Sequence, residues 1–396
     1  MLRTRLAVQE KAVEMPSMTL HSSTQTATLP KRIIDRANNY KIILLWDSFV
    51  RIEEEWNLLY RQCPVSSCVF TTDSSLLDQS DVVVMYIDTM KVYPVNRRSE
   101  QRFVFFNMES PVNTNYKKLN VAHVRYSYFN WTMTYRWDSD IVLRTHYGYA
   151  MARSTYNGTG IRYTSVDDWS KKKPSNSSND FAKSVANSAA NVVTSSSSSP
   201  SISIIVKTKK KLVAWFVGHC STNVRREEYV RQLSQYLPVD IFGQCSKNNK
   251  ECPTDCDEML RSDYKFYLSF ENSWCPDYVT EKLYRPLLYD TVPIVMGGAN
   301  YDRFAPPHSY INARDFSSAK ELAAYLLLLD KSDELYAKYF DWKQEYYIIM
   351  PDLYGMCDLC RLANDKSMPP KVYDDITDWW SNRGNGTCEE DTTSYF

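Results

Sequence analysis

The stretch from Asp263 to Ala299, DYKFYLSFENSWCPDYVTEKLYRPLLYDTVPIVMGGA, constrains the fold more than any other part of the chain. Lys265 to Phe270 is an apolar and aromatic run too short for a helix, and Val292 to Met296 is a second such run, stopped by Gly297 and Gly298. Neither alternates with polar residues, so both read as parallel strands buried on two faces, joined by a helical segment. The polar cluster that ends the first strand then faces the start of that helix. This is the crevice in which open α/β sheets take ligands.

A helix is expected after Tyr278, with Tyr278, Glu281 and Lys282 at i, i+3 and i+4 on one face. A lysine at a helix start opposes the macrodipole. Two readings fit: an ordinary solvated face carrying a Glu and a Lys, or a cation that meets an anion together with the unpaired N–H groups. The neighbouring Asn272, Ser273 and paired glycines favour the anion. Pro286 lies inside the expected helix and should kink or end it. A second arrangement of the same kind runs through Leu212 to Gly218, a loop from His219 to Asn223, and a helix from Val224 to Tyr236 with Arg225 in its first turn. The competing role for Arg225 is a surface pair with Glu228.

Residues 1–38 mix Ser, Thr and charges without periodicity and read as a disordered stem. Three strands follow, Lys41 to Trp46, Asp81 to Tyr86 and Arg102 to Asn107; the last leads into Glu109, a strand-end carboxylate that either caps a loop or does chemistry. Residues 169–206 are serine-rich and low in complexity, so they read as a linker. Lys207 and Lys209 to Lys211 read as the solvated flank of the next strand. Val239 to Gly243 gives another strand, and Phe316 to Asp330 and Asp333 to Tyr347 give two helices. The expected fold class is α/β, with two Rossmann-like domains, 39–168 and 207–350, facing across a cleft.

The 47 basic and 47 acidic residues balance, so no global basic field points to a nucleic-acid partner. Ten cysteines fit an oxidising compartment. Zinc at Cys357-x-x-Cys360 competes with disulfides there, but no histidine lies near that pair in sequence. Sequons at Asn130, Asn157, Asn176 and Asn385 are candidate glycosylation sites. No run approaches the roughly 18 apolar residues that would span a bilayer.

FYLSFENSWCPDYVTEKLYRPLLYDTVPIVMGGANYDRFAPPHSYI, NMESPVN and FNWTMTYRWDSDI together resemble the α1,3-fucosyltransferases of glycosyltransferase family 10, in an invertebrate-like form. The resemblance covers roughly residues 41 to 362 apart from the serine-rich segment. It implies the GT-B arrangement, with GDP-fucose held by the second domain through Arg225, Asn272, Ser273, Tyr278, Glu281 and Lys282. Glu281 would take the ribose hydroxyls, and Glu109 would be the general base. The implied reaction is inverting α1,3 transfer of L-fucose to N-acetylglucosamine of a glycoprotein glycan, either the N-glycan core or outer N-acetyllactosamine. Neither a metal at Asp138-Ser-Asp140 nor a dissociable cofactor is implied, because Lys and Arg would neutralise the diphosphate. The family is Golgi-lumenal behind one N-terminal anchor, which is not seen in this sequence.

The resemblance also implies that residues 351–396 return to the first domain and that Cys357 and Cys360 bond Cys63 and Cys68. Sequence does not choose between the two crossed connectivities; Cys63–Cys357 with Cys68–Cys360 is taken as the expectation. The partners of Cys220, Cys245, Cys252, Cys256, Cys275 and Cys388 stay open. Two other functions remain: an inactive glycan-binding relative, and a transferase that uses a different nucleotide sugar.

Overall fold

The structure is a computed structural model that describes residues 40–46, 63–143, 147–153, 178–188, 208–349, 355–381 and 388–389. Six strands form the first sheet: Lys41–Trp46 (β1), Cys68–Thr71 (β2), Val82–Tyr86 (β3), Arg102–Asn107 (β4), Trp131–Thr134 (β5) and Ile141–Val142 (β6). All pair in parallel, in the order β2-β1-β3-β4-β5-β6. The apolar runs of β3 and β4 are buried almost throughout, as strands covered on both faces must be. β2 and β3 lie on opposite sides of β1, so the topological switch opens a crevice at the carboxyl ends of β1 and β3.

Tyr149–Ala152 (β7) pairs antiparallel with a late strand named below. The second sheet follows Ser178–Ser188 (α1) and contains Lys211–Phe216 (β8), Val239–Phe242 (β9), Tyr264–Phe270 (β10), Val292–Met296 (β11) and Ile311–Asn312 (β12). Its order is β12-β11-β10-β8-β9, again all parallel. Arg226–Leu233 (α2) follows β8, Glu281–Leu288 (α3) joins β10 to β11, and Ala319–Lys331 (α4) covers the sheet after β12. β10 is central, and all seven of its residues are buried. Here the switch falls between β8 and β10, so the loops leaving these two strands form the crevice. The chain is thus α/β with two Rossmann-like sheets, the GT-B type.

Four expectations need correction. Within 169–206, α1 docks on the second core through buried Ala182 and Val185, and Phe181 stacks on His308 at 4.0 Å. These apolar residues recur at helical spacing, a short pattern that the surrounding serines conceal. Lys209 is not solvated: it is 2% exposed, and its Nζ donates to Leu260 O and Thr291 Oγ1. The segment Asp333 to Tyr347 is not one helix. Asp333–Ala337 is helical, Lys338–Gln344 tightens into a 3₁₀ turn that buries Tyr339, Phe340 and Trp342, and Tyr346–Ile349 (β13) pairs with β7. The aromatic and β-branched residues at its end suit a strand better than a helix. Lastly, Asn130 is 7% exposed, with Nδ2 donating to Lys371 O at 2.9 Å and Oδ1 accepting from Phe103 N at 2.8 Å. Its amide is therefore engaged inside the fold and closed to a glycan. Asn157, Asn176 and Asn385 lie outside the described residues.

Residues beyond the second sheet pack on the first. Met356–Asn364 (α5) lies against β1, and its Cys357 and Cys360 are bonded to Cys63 and Cys68, with Cα separations of 5.3 and 5.9 Å. Ile376–Ser381 (α6) is held through Trp380 Nε1, which donates to Thr114 Oγ1 at 2.8 Å, and through Arg136, which donates to Trp379 O. The remaining bonds are Cys220–Cys245, Cys252–Cys256 and Cys275–Cys388. Among the described residues, no helix is long and apolar enough to cross a membrane.

Candidate active site

The loops after β8 and β10 meet the loop after β4 around a cavity of about 60 Å³. His219, Ser221 to Val224 and Asn272 line it from the second sheet, Val112 and Asn113 from the first, and Glu389 from the C-terminal end. Arg225 sits one step earlier than the sequence reading placed it. It is the exposed N-cap of α2, held left-handed at φ 51°, and the first helical residue is Arg226. That backbone region disfavours a residue with a Cβ by about 1–2 kcal/mol, and such conformations gather at functional sites. Glu228 pairs with Arg231 and also feels the charge of Arg225.

Arg226 was missed by the sequence reading. It is 3% exposed and donates to Phe270 O at 2.6 Å and to His219 O at 3.0 Å, which ties the β8 loop to the end of β10. The signal was there in the pair Arg225-Arg226, since neighbours at a helix start point in different directions. One of them had to face inward.

The start of α3 also differs from expectation. Thr280 is its N-cap and Glu281 its first residue, so Tyr278 lies before the helix and shares no helical face with Glu281 and Lys282. Tyr278 is buried and turns toward the first sheet, where its hydroxyl donates to Glu109 Oε2 at 3.4 Å. Beneath the helix start lies Glu271, 1% exposed. It accepts from Thr280 N and Oγ1, both at 2.9 Å, and pairs with Lys282 Nζ at 3.2 Å. Lys282 also reaches Thr280 Oγ1 at 2.8 Å and Glu281 at 3.4 Å. Burial alone would lower the Lys282 ammonium, yet Glu271 and Glu281 hold it above its ordinary value. Burial would likewise raise Glu281, and the lysine beside it brings the carboxyl below its usual range. Pro286 does not break the helix. It deprives the Lys282 carbonyl of its i+4 donor, and Ser269 Oγ supplies one from β10 at 2.6 Å.

Ser273 is fully buried and faces the first sheet, hydrogen-bonded to Ser110 Oγ at 2.7 Å and Asn113 Nδ2 at 3.0 Å. It joins the two halves, and its half-buried neighbour Asn272 lines the cavity. Gly298 lets this loop pass: a Cβ there would come within 2.5 Å of the Trp274 backbone.

Glu109 lies just beyond β4, half-buried, its N–H donating to Asn107 Oδ1 at 3.0 Å. Tyr147 Oη donates to the neighbouring Met108 carbonyl at 2.6 Å. Asp138 and Asp140 diverge, the first in a bidentate pair with Arg136 and the second bonded to Thr132 and Lys371. Among the described residues, no group of three or more His, Cys, Asp or Glu is placed to hold a metal.

Residues 206–379 match the family profile for glycosyltransferase family 10 (fucosyltransferase), C-terminal part, and residues 38–148 match that for the fucosyltransferase N-terminal part. Alpha-(1,3)-fucosyltransferase C of Drosophila melanogaster is 33% identical over 86% of this chain and 78% of its own length. Glycoprotein 3-alpha-L-fucosyltransferase A of the same fly is 35% identical over 90% of this chain and 63% of its own. A crystal structure of an alpha1,3-fucosyltransferase with GDP-fucose aligns with 85% of this chain and 86% of that one, at 18% identity and a TM-score of 0.44. On the strength of the two profiles and the fly relatives, the chain belongs to the α1,3-fucosyltransferases of glycosyltransferase family 10.

Proposed function

We propose that this enzyme transfers L-fucose from GDP-β-L-fucose, with inversion, to the 3-hydroxyl of N-acetylglucosamine in a glycoprotein N-glycan. The acceptor oxygen forms its bond to the anomeric carbon as the bond from that carbon to the β-phosphate oxygen breaks. The acceptor proton passes to Glu109, and the electron pair of the broken bond leaves on GDP. Lys282, Arg225 and the starts of α2 and α3 meet the developing charge, with Asn272 beside them and Glu281 taking the ribose hydroxyls. Tyr278 belongs to the same site through its contact with the base.

The observation that carries this reading is the place of Glu109. It is a carboxylate at the rim of one sheet, touched by Tyr278 from the loop that leads into the cationic helix start of the other. The name of the second fly relative, a glycoprotein fucosyltransferase, favours the acceptor class. Ten cysteines joined in five bridges suit the oxidising lumen of the Golgi.

The test is to incubate the enzyme with GDP-fucose and a pair of N-glycans, one with and one without galactose-capped arms. NMR of the product is expected to show α-linked fucose on the 3-position of N-acetylglucosamine. A β-linked product would remove the inverting mechanism, and turnover with another nucleotide sugar in preference to GDP-fucose would remove the donor assignment.

A further inference from the structure

We propose that Glu389 is a specificity-determining residue of the donor crevice, whose carboxylate accepts hydrogen bonds from hydroxyls of the transferred sugar. This rests on the GDP-sugar reading above and adds to it a residue from outside the two sheets.

Two independent attachments put Glu389 there. The Cys275–Cys388 disulfide, with a Cα separation of 4.0 Å, fixes its neighbour to the loop after β10. Its own N–H donates to Trp274 O at 2.8 Å, which makes a one-residue antiparallel bridge. The side chain then lines the cavity that Asn272, Asn113, Thr222 and His219 also line. It is the contribution of the C-terminal end to a crevice otherwise built from the strand-end loops.

The charges decide which part of the donor it meets. Lys282 and Arg225 make the cationic side of the site, but neither lines this cavity. A diphosphate would be repelled by Glu389 and drawn to the cations, which leaves the uncharged polyol for the carboxylate and the two asparagines. Arg314 balances the Glu389 charge at 3.3 and 3.4 Å while it donates to Gly297 O and lies over the Trp274 ring. Those contacts are long, and the side chain keeps 40% exposure, so lone pairs remain for a ligand. A carboxylate set to receive hydroxyls discriminates against a sugar that lacks them, because it is then left without a partner.

The experiment titrates GDP and GDP-fucose separately, without acceptor, into the full chain and into Glu389→Gln, Glu389→Ala and the double variant Cys275→Ser/Cys388→Ser. GDP affinity is expected to stay within about twofold throughout, while Glu389→Ala and the cysteine variant weaken GDP-fucose about 10- to 100-fold, and Glu389→Gln less, as suits loss of hydrogen bonds to a charged group. Equal weakening of GDP and GDP-fucose would overturn the proposal, since the effect would then lie in the nucleotide site or the fold. No change in either titration would also overturn it, and would leave Glu389 as the partner of Arg314. If the unaltered chain binds GDP but not GDP-fucose, the donor reading itself falls, an outcome that the variants are not needed to detect.

Discussion

Two glutamates stand just past buried parallel strands, Glu109 after β4 and Glu271 after β10, and they are held in opposite ways. Glu271 is fixed by the backbone and hydroxyl of Thr280 and by the Lys282 ammonium, with almost no exposure. Burial still raises its carboxyl above the ordinary value, with Lys282 opposing. Glu109 is half-buried and, among the described residues, receives one long hydrogen bond, from a phenol whose pKa burial drives far up, so Tyr278 stays a neutral donor. The position in the fold is the same, and the partners differ. A carboxylate gripped by a cation and by the N–H and hydroxyl of Thr280 serves as framework, whereas Glu109, met among the described residues by one neutral donor, keeps lone pairs for an acceptor hydroxyl.

That contrast is most directly broken by Glu109→Gln. Its transfer rate is expected to fall about 10²- to 10⁴-fold, with melting temperature and GDP binding unchanged. A variant that keeps turnover within about tenfold, or that melts early, would place Glu109 with the framework. Glu271→Gln should behave in the reverse way. Removing one member of a buried ion pair costs about 3–5 kcal/mol, read as a lower midpoint in urea. Wild-type stability in this variant would erase the distinction between the two carboxylates.

A smaller effect is expected at Lys282 and Arg225. Lys282→Ala should weaken GDP by about 1.5–3 kcal/mol, the worth of a hydrogen bond to a charged group, and Arg225→Ala by an amount at the low end of that range. Calorimetric titrations with unaltered affinity would reduce both to structural charges.

Cations repeat the comparison. Lys282 has carboxylates beside it and is raised; Lys209, donating to a carbonyl and a hydroxyl, is pushed by burial down to about 7. Between pH 7 and the ordinary lysine value near 10.4 the unfolded chain carries a proton on Lys209 that the folded chain lacks, so this group makes stability rise with pH in that window. The gain from pH 7 to pH 8 is about 1 kcal/mol or less, because the group is only part-titrated at 7. Lys209→Met should flatten that slope in denaturant titrations at the two pH values; an unchanged slope would mean that Lys209 stays charged in the fold.

Much of the frame could be read from the chain alone. The runs of β1, β3, β4, β8, β10 and β11 announce themselves, because a strand covered on both faces is a continuous apolar segment and that property is local. The residues at the strand ends follow from the same runs, which is how Glu109 and Asn272 come to the rim. What the sequence could not settle depends on partners far away in the chain. Ser273 bridges to the first sheet because Ser110 and Asn113, about 160 residues earlier, lie across from it. Arg226, not Arg225, faces inward because Phe270 and His219 offer carbonyls there. Lys209 is buried because Leu260 and Thr291 close over it, and α1 is a helix on a core because His308 and Tyr339 give Phe181 rings to pack on. The partner of Cys275, and with it the arrival of Glu389 at the crevice, is fixed only by where the C-terminal end returns, since spacing along a chain leaves every pairing of sulfurs open until strands and helices bring them within reach.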